Sequence, residues 1–188
     1  MLYELHRYAI ENGLAALPGY KEKLVKAYIR LTEAGVFSGI DSGGPEKVPC
    51  PDIGSTALGT DKCNFLVEKA EIVLLMDPKR QLKHDFFLDL LERGARVEPR
   101  FALCRAALTD PQVLDRIRQE LLDGKFKGGD TVGFKVAGRA MEQTDGYRAW
   151  WDEARREFDA KPKPGGDIPR CFITGKPTEP VSTVPKVS

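Results

Sequence analysis

The chain has 188 residues, with 29 Lys and Arg against 28 Asp and Glu, a formal net charge of +1 and 41% hydrophobic residues. That balance excludes whole-chain disorder and a histone-like polycation, and the length suits one domain, or one with a small appendage. A local basic groove stays open, because a field depends on where the charges sit rather than on their sum.

Leu2 to Asn12 reads as a short amphipathic helix stopped by Gly13, and its charged residues fall where a secretory signal would need an apolar core. Pro18-Gly19-Tyr20 is turn chemistry. Lys23 to Leu31 and Val36 to Ile40 read as a hairpin with Gly35 at the tight position. Asp41 to Asp61 reads as a long irregular loop, because seven Gly and Pro residues interrupt it. Asn64 to Met76 fits a helix, or a turn followed by a strand over Glu71 to Met76.

Asp77-Pro78 predicts a capped helix running to Arg93, with Leu82, Phe86, Leu90, Phe87 and Leu91 as its apolar stripe. Pro99 to Leu108 predicts another helix. Thr109-Asp110-Pro111-Gln112 reads as a capping box opening a third, which buries Val113, Leu114, Ile117, Leu121 and Leu122. Thr131 to Val136 predicts a strand, and Thr144-Asp145 opens a last helix carrying Tyr147, Trp150, Trp151, Ala154 and Phe158. The whole predicts an α+β fold: a small antiparallel sheet, several flanking helices and a long glycine- and proline-rich loop. Residues 1–160 form the domain, and 161–188 a Pro/Gly-rich tail with one short strand at Cys171-Phe-Ile-Thr.

No phosphate-binding glycine loop, nucleotide fingerprint, zinc-protease helix or nucleophile elbow occurs. The four cysteines are scattered without a close pair, which argues against a zinc site and for reduced thiols in a cytoplasmic setting. The longest apolar run, Ile72 to Met76, is too short for a membrane span. His6 reads as a packing residue and His84 as a solvated one on a charged helix face. A Cys63–His84 nucleophilic pair lacks any signature of an activated thiolate. Asp152, Glu153 and Glu157 beside Arg155 and Arg156 have the spacing of a solvated, salt-bridged helix face. No cofactor or metal is implied.

The segment Lys47 to Asn64 carries the most binding-type chemistry. Its glycines let backbone approach a ligand, and Lys47, Ser55, Thr56, Thr60, Lys62 and Asn64 are donors suited to phosphates and base edges. Taken alone, these residues fit a flexible surface loop at least as well.

Several pieces in order shift that weighting: Leu2-Tyr3-Glu4-Leu5 with Tyr8; Pro18-Gly19-Tyr20; Gly59-x-x-Lys62-x-Asn64-Phe65-Leu66 running into Lys69-Ala70-Glu71-x-Val73-Leu74; Tyr147-Arg-Ala-Trp150; and Cys171-Phe-Ile-Thr-Gly175 followed by Pro185-Lys186-Val187. This order resembles the amino-terminal part of the large subunit of type I-C CRISPR Cascade complexes. Glu68, Ile72 and Leu75 stand where that family usually has Asp, Tyr and Gly, and Lys176 and Val184 depart from its tail motif. The resemblance implies a piece of a larger, non-catalytic subunit of an RNA-guided antiviral complex. Guide RNA reads sequence by base pairing, while the protein reads a short flanking motif (the PAM) in duplex target DNA and supports R-loop formation. Its implied partners are target DNA, the 5′ end of the guide RNA and neighbouring Cascade subunits. In that setting Lys62 and Asn64 would touch base edges, and Lys125, Lys127, Lys135 and Arg139 around the predicted strand would hold a nucleic-acid backbone. Arg80 and Lys83 at a helix start are further phosphate candidates. Two other readings compete: an interaction or structural module with no nucleic-acid contact, and a small enzyme using Cys63 or the carboxylates.

Overall fold

The computed structural model describes Glu4, Tyr8, 19–54 and 58–159. Residues 18–160 form one compact unit, and Glu4 and Tyr8, both helical, belong to another. The expected helix over 2–12 and the tail with its strand lie otherwise outside the described residues. In chain order the compact unit runs β1 (Tyr20–Leu24), β2 (Ala27–Leu31), β3 (Phe37–Ser42), β4 (Lys47–Pro51), β5 (Glu68–Lys69), α1 (Ala70–Val73), a 3-10 turn (Pro78–Arg80) and α2 (Gln81–Gly94). It continues with α3 (Arg100–Thr109), α4 (Pro111–Asp123), β6 (Thr131–Val136), β7 (Arg139–Ala140), a second 3-10 turn (Met141–Gln143) and α5 (Arg148–Asp159).

The fold is α+β. β1 and β4 make a two-stranded antiparallel sheet. A second sheet has the order β3-β2-β6-β5, with β7 also on β6. β2 and β3 form the expected hairpin, and Gly35 at φ +79° donates to Thr32 O at 2.9 Å in its turn. The strand expected over 23–31 is broken at Val25-Lys26, and its first half pairs with β4 instead. β2 and β6 run parallel, so the chain between them is a long crossover carrying the first four helices.

Ala27, Ile29 and Leu31 of β2 alternate toward the main core beside Val132, Phe134 and Val136 of β6. Phe87, Leu90 and Leu91 of α2, Phe101 and Cys104 of α3, Ile117 and Leu121 of α4 and Trp151 of α5 complete that core. The opposite face of the sheet meets the β1–β4 pair through a small cluster of Val25, Tyr28, Cys50, Val67 and Ala140. On that face the Tyr28 ring lies over its strand partner Gly133, where a Cβ would come within 3.1 Å of it.

Four expectations need correction. The irregular loop does not begin at Asp41, because β3 runs to Ser42 and Lys47–Pro51 is a strand despite Pro49 and Pro51. Asp52, next in the alternation after Val48 and Cys50, donates its N–H to Gly19 O at 2.8 Å; the nitrogens of the two prolines therefore point away from β1, where no ladder hydrogen bond is lost. The segment 64–76 holds a two-residue strand, Glu68–Lys69, followed by the one-turn helix Ala70–Val73, rather than a helix throughout or a turn followed by a strand over Glu71 to Met76. His84 is buried, with Nδ1 3.0 Å from Ile72 O, whereas Leu82 of the expected stripe is 62% exposed. Asp110, rather than Thr109, caps α4: its Oδ1 accepts from Gln112 N–H at 2.9 Å and Val113 N–H at 3.2 Å, while Thr109 closes α3. Among the described residues no helix is long and apolar enough to cross a membrane.

Candidate nucleic-acid interface

The glycine-rich segment is closed at its base. Asn64 Oδ1 accepts the Ile53 N–H at 3.2 Å, while its Nδ2 and backbone N–H donate to Glu68 Oε2 at 2.9 and 3.0 Å. One amide thus joins Ile53 and Asn64, on either side of this segment. Asp52 Oδ1 accepts from Gly54 N–H at 2.8 Å, and Gly54 takes φ +85° as the chain leaves β4. Next to the clamp, Phe65 is fully buried among Phe101, Trp150 and Trp151, whose ring centroids lie 5.2–5.5 Å away. The base-edge role expected of Asn64 is therefore corrected: the side chain is 8% exposed and its amide is engaged within the fold. Thr60 is exposed in the turn 59–61. Lys62 is half-buried, with Nζ 5.8 Å from the Phe158 ring centroid, and Arg93 approaches the same ring at 5.7 Å. Ser55 and Thr56 lie outside the described residues.

The remaining expected cations do not form one patch. Arg80 pairs with Glu71 at 3.0 Å. Lys83 sits half-exposed on α2, where its carbonyl accepts from Cys63 Sγ at 3.3 Å. Lys135 pairs with Asp41 at 3.4 Å and lies 4.6 Å above the Tyr28 ring. Arg139 is exposed in β7, near enough to Glu98 to help lower its carboxyl. Lys135 and Arg139 mark one end of β6 and Lys125 and Lys127 the other, roughly 15 Å apart along the strand.

At that second end the structure gathers lysines that are distant in sequence, around Thr131. Lys26 donates its N–H to Thr131 O at 2.9 Å on one side, and Lys69 is the register partner of Thr131 on the other. Lys47 opens β4 opposite Leu24, whose carbonyl accepts the Thr131 hydroxyl. Lys127 begins the turn into β6, with its N–H on Asp130 Oδ2 at 2.8 Å, and Lys125 lies two residues earlier. All five side chains are exposed, and none has an ion-pair partner among the described residues. Lys26 and Lys69 escape a linear reading, because only the non-local register with β6 places them beside Lys47 and Lys127.

Two other features bear on the competing readings. Burial pushes the Cys50 thiol up to about 12 and raises those of Cys63 and Cys104 as well, the direction opposite to nucleophile activation. A groove of about 330 Å³ between the end of α2 and α5 is lined by Arg93, Arg96, Val97, Trp150, Glu153, Ala154 and Glu157. Comparison with protein-family models and with curated proteins found no match.

Proposed function

We propose that the chain is the amino-terminal part of the large subunit of an RNA-guided, Cascade-like complex of type I-C, and that it acts without catalysis by holding PAM-bearing duplex DNA. The observation that carries this reading is the clamp at Asn64, which ties Ile53 to Glu68 across the glycine-rich loop segment within the motif on which the resemblance rests. Binding residues are commonly displayed on loops fixed to a rigid scaffold, and Thr60 and Lys62 are the donors this one offers among the described residues. A second support is the backbone at Leu75. It takes φ +45°, a conformation that favours glycine, at the position where the resembling family carries glycine. A cytoplasmic location and a guide-RNA partner belong to the same proposal.

The test is duplex binding by the assembled complex with Thr60→Ala and Lys62→Ala. If either side chain touches a base, its removal should cost about 1–3 kcal/mol at one position of the PAM, whereas removal of a phosphate-binding side chain would weaken all sequences alike. Full PAM dependence in both variants refutes the loop as the reader. A protein partner is the second reading. The groove beside Trp150 favours it, because an apolar floor there is flanked by both signs of charge.

A further inference from the structure

We infer that the lysine rim around Thr131, made of Lys26, Lys47, Lys69, Lys125 and Lys127, is a binding site for the phosphodiester backbone of a nucleic-acid duplex. The site itself stands on geometry. Identifying the duplex as PAM-bearing DNA rests on the proposed function.

The positions follow from the sheet. Lys26, just before β2, donates its N–H to Thr131 O, and Lys69 of β5 is the register partner of Thr131, so the two flank the start of β6 two inter-strand spacings apart, about 10 Å. Lys47 joins through the Leu24 pairing, and Lys127 through the turn closed by its hydrogen bonds with Asp130. Four chain segments therefore deliver ammonium groups to one end of the sheet. Lysine is a strongly hydrated point charge on a flexible stem, suited to following a phosphate row and unsuited to bidentate readout of one base. Duplex DNA presents a phosphate every 3.4 Å along each strand, so a rim on the order of 20 Å across faces several at once.

The local carboxylates leave the rim basic. Glu68 and Asp130 accept hydrogen bonds from Asn64 and from backbone N–H groups, Glu71 is paired with Arg80, and Glu46 is the remaining exposed acid beside Lys47. Five lysines against Glu46, Glu68, Asp123 and Asp130 still leave a surplus of positive charge. The near-neutral total of the chain conceals this surplus, because the balancing acids lie elsewhere.

The experiment measures binding of the full chain to a random-sequence DNA duplex, an RNA duplex and anionic phospholipid vesicles as salt rises from about 50 to about 200 mM. Wild type, Lys26→Ala/Lys69→Ala and an Arg96→Ala control are compared, with thermal melts to confirm folding. With all five lysines on phosphates, affinity should fall about 500-fold over that salt range, against about 40-fold for the double variant, and the loss should be the same for every duplex sequence. Arg96→Ala should match wild type. An unchanged salt slope in the double variant, binding to vesicles in place of nucleic acid, or no duplex binding tighter than about 10⁻⁴ M at the lower salt overturns the inference. The DNA and RNA arms show which duplex the backbone contact favours. Rim-dependent binding with no PAM preference keeps this site and removes the PAM reading; PAM-dependent binding indifferent to the rim does the reverse.

Discussion

Asn64 shows how a single side chain ties together the two ends of a glycine-rich segment. Its carbonyl oxygen takes the Ile53 N–H and its amide nitrogen gives to Glu68, so it bridges the two ends of a loop that has few other ties among the described residues. Asn64→Ala leaves the buried Ile53 donor without a partner and removes one of the two hydrogen bonds at Glu68 Oε2, the other coming from the backbone N–H of residue 64. The expected loss is about 2 kcal/mol, read from the denaturation midpoint, with faster hydrogen exchange at Ile53. A variant as stable as wild type would mean that the loop is held by something other than this amide. From the sequence, Asn64 looked like a base-reading donor because amides do serve that role. Its burial depends on Phe65, and the partners of that ring come from α3 and α5, far along the chain.

The helices follow local signals closely. Asp77 caps the turn that leads into α2, with its Oδ1 3.0 Å from Lys79 N, and Pro78 occupies the first position of that turn. Asp110 does the same for α4, with Pro111 behind it. Asp110→Ala removes the acceptor for two N–H groups that no helical carbonyl can satisfy, and should destabilise the fold by about 1 kcal/mol in chemical denaturation. Asp110→Asn should restore most of that stability, because the amide oxygen can accept the same bonds; equal destabilisation in both variants would point to charge rather than capping. The strands were harder to read. β4 reads as loop because prolines usually interrupt ladders, and only the register with β1 shows that both proline nitrogens point away from it.

Over the whole molecule, two buried carboxyls pull stability in opposite directions with pH. Arg100 clamps Glu98 with Nε and Nη2, each at 2.7 Å, and these hydrogen bonds, aided by the nearby Arg139, hold its carboxyl below the usual range. That contribution is present above the unfolded value of about 4.3 and is lost as pH falls through the lower folded value. Glu142 is the converse. It sits at the seam between the two sheets, with Oε1 accepting from Tyr28 OH at 2.7 Å and Oε2 buried without a partner; burial raises its carboxyl despite that bond and the charge of Lys135. Its contribution is complete below about 4.3 and declines as pH rises through the higher folded value. Denaturation midpoints followed from acid to alkaline pH should lose part of their acid limb in Glu98→Gln and part of their alkaline limb in Glu142→Gln. Curves parallel to wild type in either variant would remove that carboxyl from the account.

The amino-acid sequence by itself determined α2 to α5, the hairpin at Gly35 and the strand 131–136, because caps, turn glycines and apolar periodicity act within a few residues of themselves. It also placed binding-type donors in the segment that becomes the loop. Tertiary structure alone decided the parallel β2–β6 pairing, the burial of Asn64 and His84, and the separation of Lys135 and Arg139 from Lys125 and Lys127. Above all it brought Lys26 and Lys69 to the end of β6, since strand register joins residues far apart along the chain and no local pattern encodes which lysines will become neighbours.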